Sequence, residues 1–270
     1  MRTWTLGDRV VNRIGFGAMR LGADADRAVA VLRRAVELGV NHIDTAAFYP
    51  VSGGGWVGTA NELIRRALSP YPPDLVIAVK VAPTAEGLAR PDQLRGLVEE
   101  NLRQLGRDQL DLVYLRQHGL DSIAEHLGVL ARLRDEGLIR HLGLSNIRDV
   151  HLDQSVGVAP VVAVQNRYGL DAGRANDGLL RTCGERGIAF IPFFALVGDA
   201  RESGGVAATD AVFAVARAHG ATPAQVRLAW TLHQGPHVLA IPGTGNPDHV
   251  AENIAAADLR LTDDDLAVLG

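Results

Sequence analysis

Three residues with the chemistry of a proton donor lie near the ends of two short apolar segments. Asp44 ends the segment 40–44, Tyr49 follows five residues later, and Lys80 ends the segment 75–80. A tyrosine is a poor acid near pH 7, because a phenol has an ordinary pKa of roughly 10, but an adjacent ammonium favours the phenolate. A buried carboxylate next to that ammonium would keep it charged. These residues could therefore protonate a carbonyl oxygen that is becoming an alkoxide.

Lys80 is the only lysine in the chain, since the other 26 of the 27 lysine and arginine residues are arginines. The ammonium of lysine is compact and its pKa shifts readily on burial, whereas a guanidinium stays charged. The retention of one lysine at the end of an apolar segment therefore indicates a chemical role. The structural alternative is an Asp44–Lys80 ion pair that fills the protein interior and takes no part in a reaction.

The positions of these residues depend on the elements around them, and apolar segments alternate with helical patterns along the whole chain. Such alternation predicts parallel strands joined by helices. Eight strands are predicted, beginning at Ile14, Val40, Leu75, Leu110, His141, Val161, Ile188 and Val238. We therefore expect one α/β domain over residues 1–270, folded as a (β/α)8 TIM barrel, with a doubly wound open sheet as the alternative. Segments 3–6 and 10–14 flank Gly7-Asp8 and predict a short N-terminal β-hairpin.

The barrel prediction places the residues that could do chemistry on one rim. Active sites of such barrels lie at the carboxyl ends of the strands. Tyr49 is expected in the loop after the second strand. The residues expected at the strand ends are Gly17, Ala18, Met19, Asp44, Lys80, Arg116, His118, Ser145, Asn146, Gln165, Asn166, Phe193, Phe194, Gly243 and Thr244.

The composition excludes several classes of function. The net charge is −4 and the pI about 6.1, so no basic face for nucleic acid is expected. No apolar segment reaches the roughly 18 residues of a membrane span, and residues 1–10 lack the apolar core of a signal peptide. Cys183 is the single cysteine, which rules out an internal disulfide and agrees with a reducing compartment. We expect a cytoplasmic protein, monomeric by default, that binds neither nucleic acid nor membranes.

An ordered set of motifs resembles the aldo-keto reductase superfamily over nearly the whole chain. It begins with Gly39-x-x-x-x-Asp44-Thr45-Ala46-x-x-Tyr49 and continues with the strand-ending Lys80, Gly143-Leu-Ser145-Asn146, Gln165-Asn166 and Ile241-Pro-Gly-Thr…Glu252-Asn253. Each motif is weak alone, whereas the ordered set is specific. Within the superfamily, segments 38–45, 191–194, 220–226 and 241–244 are most similar to bacterial pyridoxal reductase-like members.

The resemblance implies a barrel that binds NADP(H) in an extended form and reduces carbonyl compounds. It implies Tyr49 as the general acid, Lys80 as the group that favours release of its proton, and Asp44 as the support of Lys80. The cofactor contacts that it implies are Gly17, Ala18, Met19 and Asp44 near the nicotinamide, Ser145, Asn146 and Gln165 on its carboxamide, Phe193 stacked on its ring with Phe194 following, Leu196 to Gly198 beside the pyrophosphate, Gly243, Thr244 and His249 at the 2′-phosphate, and Glu252 and Asn253 at the adenine.

Two positions depart from the family pattern. The family usually has a histidine directly after the fourth strand, where this chain has Arg116, with His118 two residues later. A guanidinium could orient or polarise a substrate oxygen but could not act as a general base. We favour Arg116 as the fourth active-site residue, with His118 as the alternative. Many relatives have a lysine or arginine at the 2′-phosphate site, whereas this chain has Gly243, Thr244 and His249, so NADPH is expected and NADH less so.

The sequence therefore predicts an NADPH-dependent reductase of a small aldehyde or ketone, with a pyridoxal-like or sugar-like substrate. Two alternatives remain open: a redox-sensing regulatory subunit that binds NADP(H) with little turnover, and a (β/α)8 isomerase or lyase that acts on phosphorylated substrates. No metal is expected, because Gly-Pro separates His233 from His237 and no carboxylate is adjacent. The glycine-rich segment 52–58 is expected to be a flexible substrate loop, with Trp56 as a pocket wall or a loop anchor.

Overall fold

Parallel strands form the centre of the computed structural model, which describes residues 2–22, 24–53, 56–193, 195–196 and 209–270. In chain order the strands are β1 (Thr3–Leu6), β2 (Arg9–Asn12), β3 (Phe16–Gly17), β4 (His42–Asp44), β5 (Pro50–Gly53), β6 (Trp56–Thr59), β7 (Val76–Val81), β8 (Pro83–Thr84), β9 (Gly87–Leu88), β10 (Leu110–Arg116), β11 (Ile139–Ser145), β12 (Ala163–Gln165) and β13 (Ala189–Phe190). Seven of them form one parallel sheet in the order β3-β4-β7-β10-β11-β12-β13. The pairs β1–β2, β5–β6 and β8–β9 are antiparallel hairpins.

An eighth β-segment, which the sequence predicts to begin at Val238, closes this sheet into a barrel. Val238 forms a parallel bridge with Phe190 of β13, and Ala240 forms one with Ile14, just before β3. The Gly15 N–H donates a hydrogen bond to the Ala240 carbonyl (2.8 Å). Because both edges of the sheet are hydrogen-bonded to this segment, the (β/α)8 barrel prediction is confirmed and the open-sheet alternative is wrong.

The helices lie outside the barrel, and local sequence signals set their ends. In chain order they are α1 (Ala25–Glu37), α2 (Ala60–Leu68), α3 (Leu94–Leu105), α4 (Ala124–Asp135), α5 (Asp149–Val156), α6 (Asp177–Glu185), α7 (Asp210–Ala218), α8 (Pro223–His233), α9 (Pro247–Ala255) and α10 (Asp263–Leu269). The Asp24 carboxylate accepts hydrogen bonds from two backbone N–H groups at the start of α1. Thr59 and Glu62 form a capping box at the start of α2. Gly106 ends α3 in the left-handed conformation, with φ of 63°.

The N-terminal hairpin plugs one end of the barrel. Leu6 and Val11 of the hairpin pack against inward-facing side chains of the barrel strands, among them Val76 and Leu112. Leu6 is 2% exposed and Val11 is fully buried. The predicted hairpin is therefore confirmed, and its packing leaves the carboxyl end of the barrel as the open end.

Two rings occupy the barrel interior between the plug and the open end. His42 is 2% exposed and Tyr114 is fully buried. A Cβ atom added to Gly15 would overlap the His42 ring, and one added to Gly143 would come within 2.6 Å of the Tyr114 ring. These two glycines therefore make room for the rings.

Two secondary-structure predictions need correction. Segment 52–58 was expected to be a flexible loop, but β5 pairs with β6 there, with Val51 opposite Gly58. The pairing runs from Pro50 opposite Thr59 to Gly53 opposite Trp56, so this ladder orders the segment despite its glycines. The side chain of Trp56 lies outside the described part of the structure. Helix α10 was not predicted, because its seven residues give too few turns for a clear helical period.

Candidate active site

An ion pair between Lys80 and Asp44 lies at the open end of the barrel. Asp44 is the last residue of β4 and Lys80 the fifth residue of β7; they are 5% and 2% exposed. The Lys80 ammonium donates a hydrogen bond to Asp44 Oδ1, and Gln165 Nε2 donates one to Asp44 Oδ2 (2.7 Å). Both carboxylate oxygens are therefore hydrogen-bonded, which fixes the orientation of Asp44.

The charge of Lys80 depends on its neighbours. Burial alone lowers the pKa of the ammonium, but attraction by Asp44, and then by Tyr49, raises it by more. The net result is a pKa above the ordinary value for lysine. Lys80 therefore stays an ammonium at neutral pH.

Tyr49 lies against this ammonium, with Lys80 Nζ 5.3 Å from the centroid of the phenol ring. Its backbone is held on both sides, because its N–H donates to the Ala46 carbonyl (3.1 Å) and its carbonyl accepts from the Ala60 N–H (2.9 Å). Hairpin β5–β6 begins directly after it at Pro50. The hairpin and the start of α2 thus position the phenol next to Lys80.

A cavity of about 320 Å³ opens beside these groups. Asp44, Tyr49 and Lys80 line it, together with residues from the ends of strands far apart in the sequence. Its walls are mainly apolar. The predicted residues that line it are Gly17, Met19, Asp44, Tyr49, Lys80, Arg116, Gln165, Phe193, Leu196 and Gly243.

The position after the fourth barrel strand is filled by Arg116. Arg116 ends β10, is partly buried and lines the cavity, whereas His118 is exposed and does not. The central carbon of the Arg116 guanidinium lies 5.3 Å from the centroid of the Phe193 ring. The structure therefore places Arg116, and not His118, beside Tyr49 and Lys80 in one cavity.

Two buried oxygen atoms near the cavity fit the carboxamide of a nicotinamide. Ser145 Oγ and Gln165 Oε1 are buried and have no hydrogen-bond partner among the described residues. A buried polar atom without a partner is rare, because it costs free energy. A hydroxyl and an amide oxygen can together accept from and donate to a carboxamide. The predicted carboxamide contacts at these two residues are therefore compatible with the structure.

Asn146 is placed differently from Ser145 and Gln165. Its Nδ2 donates to the Gln117 carbonyl (3.1 Å) and its N–H donates to the Gln165 carbonyl (2.9 Å). Its backbone is left-handed, with φ of 58°. Asn146 does not line the cavity but borders Gln165 through this backbone bond.

Two glycines allow the first and last barrel segments to approach each other closely beside the cavity. A Cβ atom on Gly17 would come within 2.6 Å of the Ile241 carbonyl oxygen, and one on Gly243 would overlap the Gly17 carbonyl. The two glycines belong to the first and last barrel segments. Ala18 next to them is buried, and Met19 is 41% exposed at the cavity.

The residues expected at the adenosine end lie beyond this cavity, at the start of α9 and along it. Thr244 Oγ1 accepts from the Asn246 N–H (3.0 Å) and lies 3.4 Å from His249 Nδ1. His249 is exposed, Glu252 partly buried and Asn253 buried. These residues follow Gly243 in the sequence, and Gly243 lines the cavity, so this part of the chain extends outward from the cavity rim. The predicted contacts Phe194 and Gly198 lie outside the described residues.

A buried chain of polar side chains behind the site was not predicted from the sequence. Thr45 Oγ1 donates to Asn61 Oδ1 (2.8 Å), and Asn61 Nδ2 donates to Asn101 Oδ1 (2.9 Å). All three residues are at most 1% exposed. They tie the end of β4 to α2 and α3. The sequence signal for this chain of hydrogen bonds is an asparagine on the apolar face of α2 and another on that of α3.

The cavity wall also contains residues that the sequence did not single out, among them Arg20, Phe48 and Pro83. The described residues include no group of three His, Cys, Asp or Glu side chains placed to hold a metal ion. Within the same part of the chain, the structure has no helix with the length and apolar character needed to cross a membrane.

Known proteins similar in sequence match almost the whole chain. Residues 13–269 match the profile of the aldo/keto reductase family. The chain is 41% identical over 288 residues to pyridoxine 4-dehydrogenase of Escherichia coli strain K12, with 99% of this chain and 96% of that protein covered. It is 35% identical over 285 residues to an uncharacterized oxidoreductase of Schizosaccharomyces pombe, with 99% and 88% covered.

Solved structures share the barrel. An aldo/keto reductase from Klebsiella pneumoniae in complex with NADP and acetate gives a TM-score of 0.84 at 29% identity, covering 99% of this chain and 94% of that one. An aldo-keto reductase from the same organism in complex with NADPH gives 0.83 at 28% identity, covering 99% and 93%.

Proposed function

The chain belongs to the aldo/keto reductase family, and we propose that it reduces a small aldehyde or ketone to the alcohol with NADPH as reductant and Tyr49 as general acid. It is an NAD(P)H-dependent oxidoreductase, like the relatives named as dehydrogenases and reductases. One observation carries the proposal: the buried Lys80–Asp44 ion pair lies against the Tyr49 ring at the wall of a largely apolar cavity.

Lys80 and Asp44 prepare Tyr49 to give up its proton. As the proton leaves Tyr49 Oη for the carbonyl oxygen of the substrate, the ammonium stabilises the negative charge that develops on the phenol. Asp44 keeps the ammonium charged and in place, because its second oxygen is bonded to Gln165. The attraction between the Lys80 ammonium and the charge that develops on Tyr49 is strengthened because Lys80 and Asp44 are buried, and charges interact more strongly away from water.

Residues around the cavity would hold the cofactor. When bound, NADPH supplies the hydride that the carbonyl carbon gains. Ser145 and Gln165 would bind the carboxamide through the two buried oxygens described above. The ring of Phe193 would face the nicotinamide, and Gly17 and Gly243, which line the cavity, would lie next to it. The larger set of cofactor contacts, which includes Asn146, Leu196, Thr244, His249, Glu252 and Asn253, remains part of this proposal.

Arg116 would bind a substrate oxygen. Its guanidinium is permanently charged and lies in the same cavity as Tyr49. It cannot accept a proton, so its role is orientation or polarisation. This assignment replaces the histidine that the family usually has at this position.

Similarity to the Escherichia coli pyridoxine 4-dehydrogenase supports a pyridoxal-like substrate. A sugar-like carbonyl compound is the second candidate. We further propose that the protein works in the cytoplasm and as a monomer, for which size-exclusion chromatography should give a mass near 28.7 kDa.

An activity screen tests the proposed function. The purified protein would be given pyridoxal, simple aldehydes and sugar aldehydes with NADPH and with NADH in parallel, and cofactor oxidation would be followed by absorbance. We expect oxidation of NADPH with at least one aldehyde, and slower oxidation of NADH. Quenching of NADPH fluorescence without turnover on any carbonyl would contradict the proposal and favour a redox-sensing regulatory subunit. Absence of cofactor binding would contradict both.

A further inference from the structure

The cavity beside Tyr49 contains a positive charge that no acidic side chain among the described residues balances. Lys80 is paired with Asp44. Arg116 lines the same cavity and forms no ion pair with an acidic residue in the ranges that the structure describes; its recorded contact is with the Phe193 ring. The charge of Arg116 is therefore available to a bound molecule.

The guanidinium of Arg116 is also held in position. The side chain is partly buried, and its central carbon lies 5.3 Å from the centroid of the Phe193 ring, within the range of a cation–π contact. A guanidinium carries five N–H donors in a planar fork. The contact with the Phe193 ring leaves N–H donors of the guanidinium available to a carboxylate or another anionic oxygen. Such an oxygen accepts stronger hydrogen bonds than a neutral oxygen does.

The rest of the cavity favours an apolar body. Outside the residues proposed to contact the cofactor, its wall includes Phe48, Pro83, Pro192 and Ile241. Each hydroxyl of a polyhydroxylated chain would lose its hydrogen bonds to water against such walls, at a cost in binding free energy. The cavity therefore suits an aromatic carbonyl compound better than a sugar.

We propose that Arg116 determines specificity by selecting aromatic or similarly flat carbonyl substrates with an anionic oxygen, a carboxylate or an ionised hydroxyl, near the carbonyl group. This proposal rests on the proposed function, because it identifies the substrate oxygen that Arg116 binds during carbonyl reduction. The anionic oxygen pairs with the guanidinium while the carbonyl oxygen faces Tyr49. A neutral analogue leaves the partly buried charge unpaired and binds more weakly.

Benzaldehyde and the isomers of carboxybenzaldehyde provide the test, because they differ only in the anionic group and its position. Reduction with NADPH would be measured for the wild type and for Arg116→Gln, Arg116→Lys and Arg20→Gln. Arg20→Gln is the matched control, since Arg20 is a second cation on the same cavity. Arg116→Lys keeps the charge and supplies a second measurement if the glutamine variant does not fold.

We expect the best carboxy isomer to exceed benzaldehyde in kcat/KM by about tenfold or more in the wild type, mainly through a lower KM. Arg116→Gln should abolish this preference, Arg116→Lys should keep part of it, and Arg20→Gln should keep it. Equal kcat/KM values in the wild type, or a preference that survives Arg116→Gln or disappears in Arg20→Gln, would overturn the inference while the reductase activity stands. Failure to oxidise NADPH with these aldehydes and with every carbonyl compound of the activity screen would overturn the proposed function as well.

Discussion

Asp44 is the residue on which the proposed proton donor depends. Lys80 and Gln165, from two other barrel strands, each use one of its carboxylate oxygens. Breaking a buried ion pair by removing one partner is costly, because the other charge is left without compensation. The arrangement therefore links the charge of Lys80 to one carboxylate.

His42 lies two residues before Asp44, and its ring is buried in the barrel interior. Burial lowers the pKa of His42 from 6.5 to about 4, although Asp44 acts in the opposite direction. Between these two pH values the unfolded chain therefore binds a proton at this residue that the folded chain does not. Stability contributed by neutral His42 is present above pH 6.5 and is lost as the pH falls towards 4.

We expect acidification from about pH 7 to about pH 4 to lower the free energy of unfolding by about 3 kcal/mol through His42 alone. His42→Phe keeps a ring and removes the titrating nitrogens, so it should lose less stability over this range. Urea unfolding at both pH values measures the difference. His118→Phe is the control at an exposed histidine and should follow the wild type. Equal acid sensitivity of the wild type and His42→Phe would refute this role.

Hairpins β1–β2 and β5–β6 have different roles. Hairpin β1–β2 closes the bottom of the barrel, and its turn is tied to β11, since Asp8 accepts hydrogen bonds from Arg140 and His141. Those bonds hold the pKa of the Asp8 carboxyl well below its ordinary value. Hairpin β5–β6 follows Tyr49 directly, and just beyond the hairpin the Ala60 N–H at the start of α2 donates to the Tyr49 carbonyl. One hairpin therefore supports the core and the other supports the proposed acid.

Two adjacent valines of hairpin β1–β2 test whether this hairpin stabilises the barrel as a plug. Val11 is fully buried in the plug, whereas Val10 is 61% exposed. We expect Val11→Ala to lower the free energy of unfolding by about 2 kcal/mol, because it leaves a cavity in the barrel interior. Val10→Ala should change it by less than about 0.5 kcal/mol. Chemical denaturation of both variants is the measurement, and equal effects would show that the hairpin does not act as a plug.

At the scale of the whole molecule, the seam where the segment at Gly17 meets the segment at Gly243 supports both closure of the barrel and the proposed cofactor site. The Gly17 N–H donates to the Pro242 carbonyl (3.2 Å), and Gly17 and Gly243 both line the cavity. Backbone contact across the seam requires the absence of side chains at these two positions. Closure of the barrel and the shape of the cavity are thus set by the same contact.

We expect Gly17→Ala to destabilise the protein by about 1–3 kcal/mol through the clash with the Ile241 carbonyl, and to weaken NADPH binding. Gly128→Ala is the matched control, because Gly128 lies in the middle of α4 and an added Cβ would have its nearest neighbour 3.9 Å away. That variant should gain about 0.5–1 kcal/mol from helix propensity. Thermal unfolding and NADPH fluorescence titration distinguish the two. A Gly17→Ala protein as stable as Gly128→Ala would show that the seam tolerates a side chain.

The sequence could predict those features that depend on strand ends. Asp44, Lys80 and Arg116 end apolar segments, so their convergence follows once eight strands are counted. The contacts between elements could not be predicted in this way. The chain Thr45–Asn61–Asn101 joins a strand to two helices. The bond from the Ala60 N–H to the Tyr49 carbonyl depends on a hairpin that pairs across a glycine-rich segment. Such contacts arise from packing between distant residues, which local patterns do not encode.

Replacement of Tyr49 by phenylalanine tests the central claim most directly, because it removes the hydroxyl and keeps the ring. With an aldehyde that the wild type reduces, at saturating NADPH, we expect kcat of Tyr49→Phe to fall about 100-fold or more. The Kd for NADPH, measured by quenching of its fluorescence, should be unchanged. Tyr71→Phe is the control, because the Tyr71 hydroxyl donates to the Leu105 carbonyl (2.7 Å) and Tyr71 does not line the cavity. This variant should retain turnover. Wild-type turnover in Tyr49→Phe would show that Tyr49 is not the general acid.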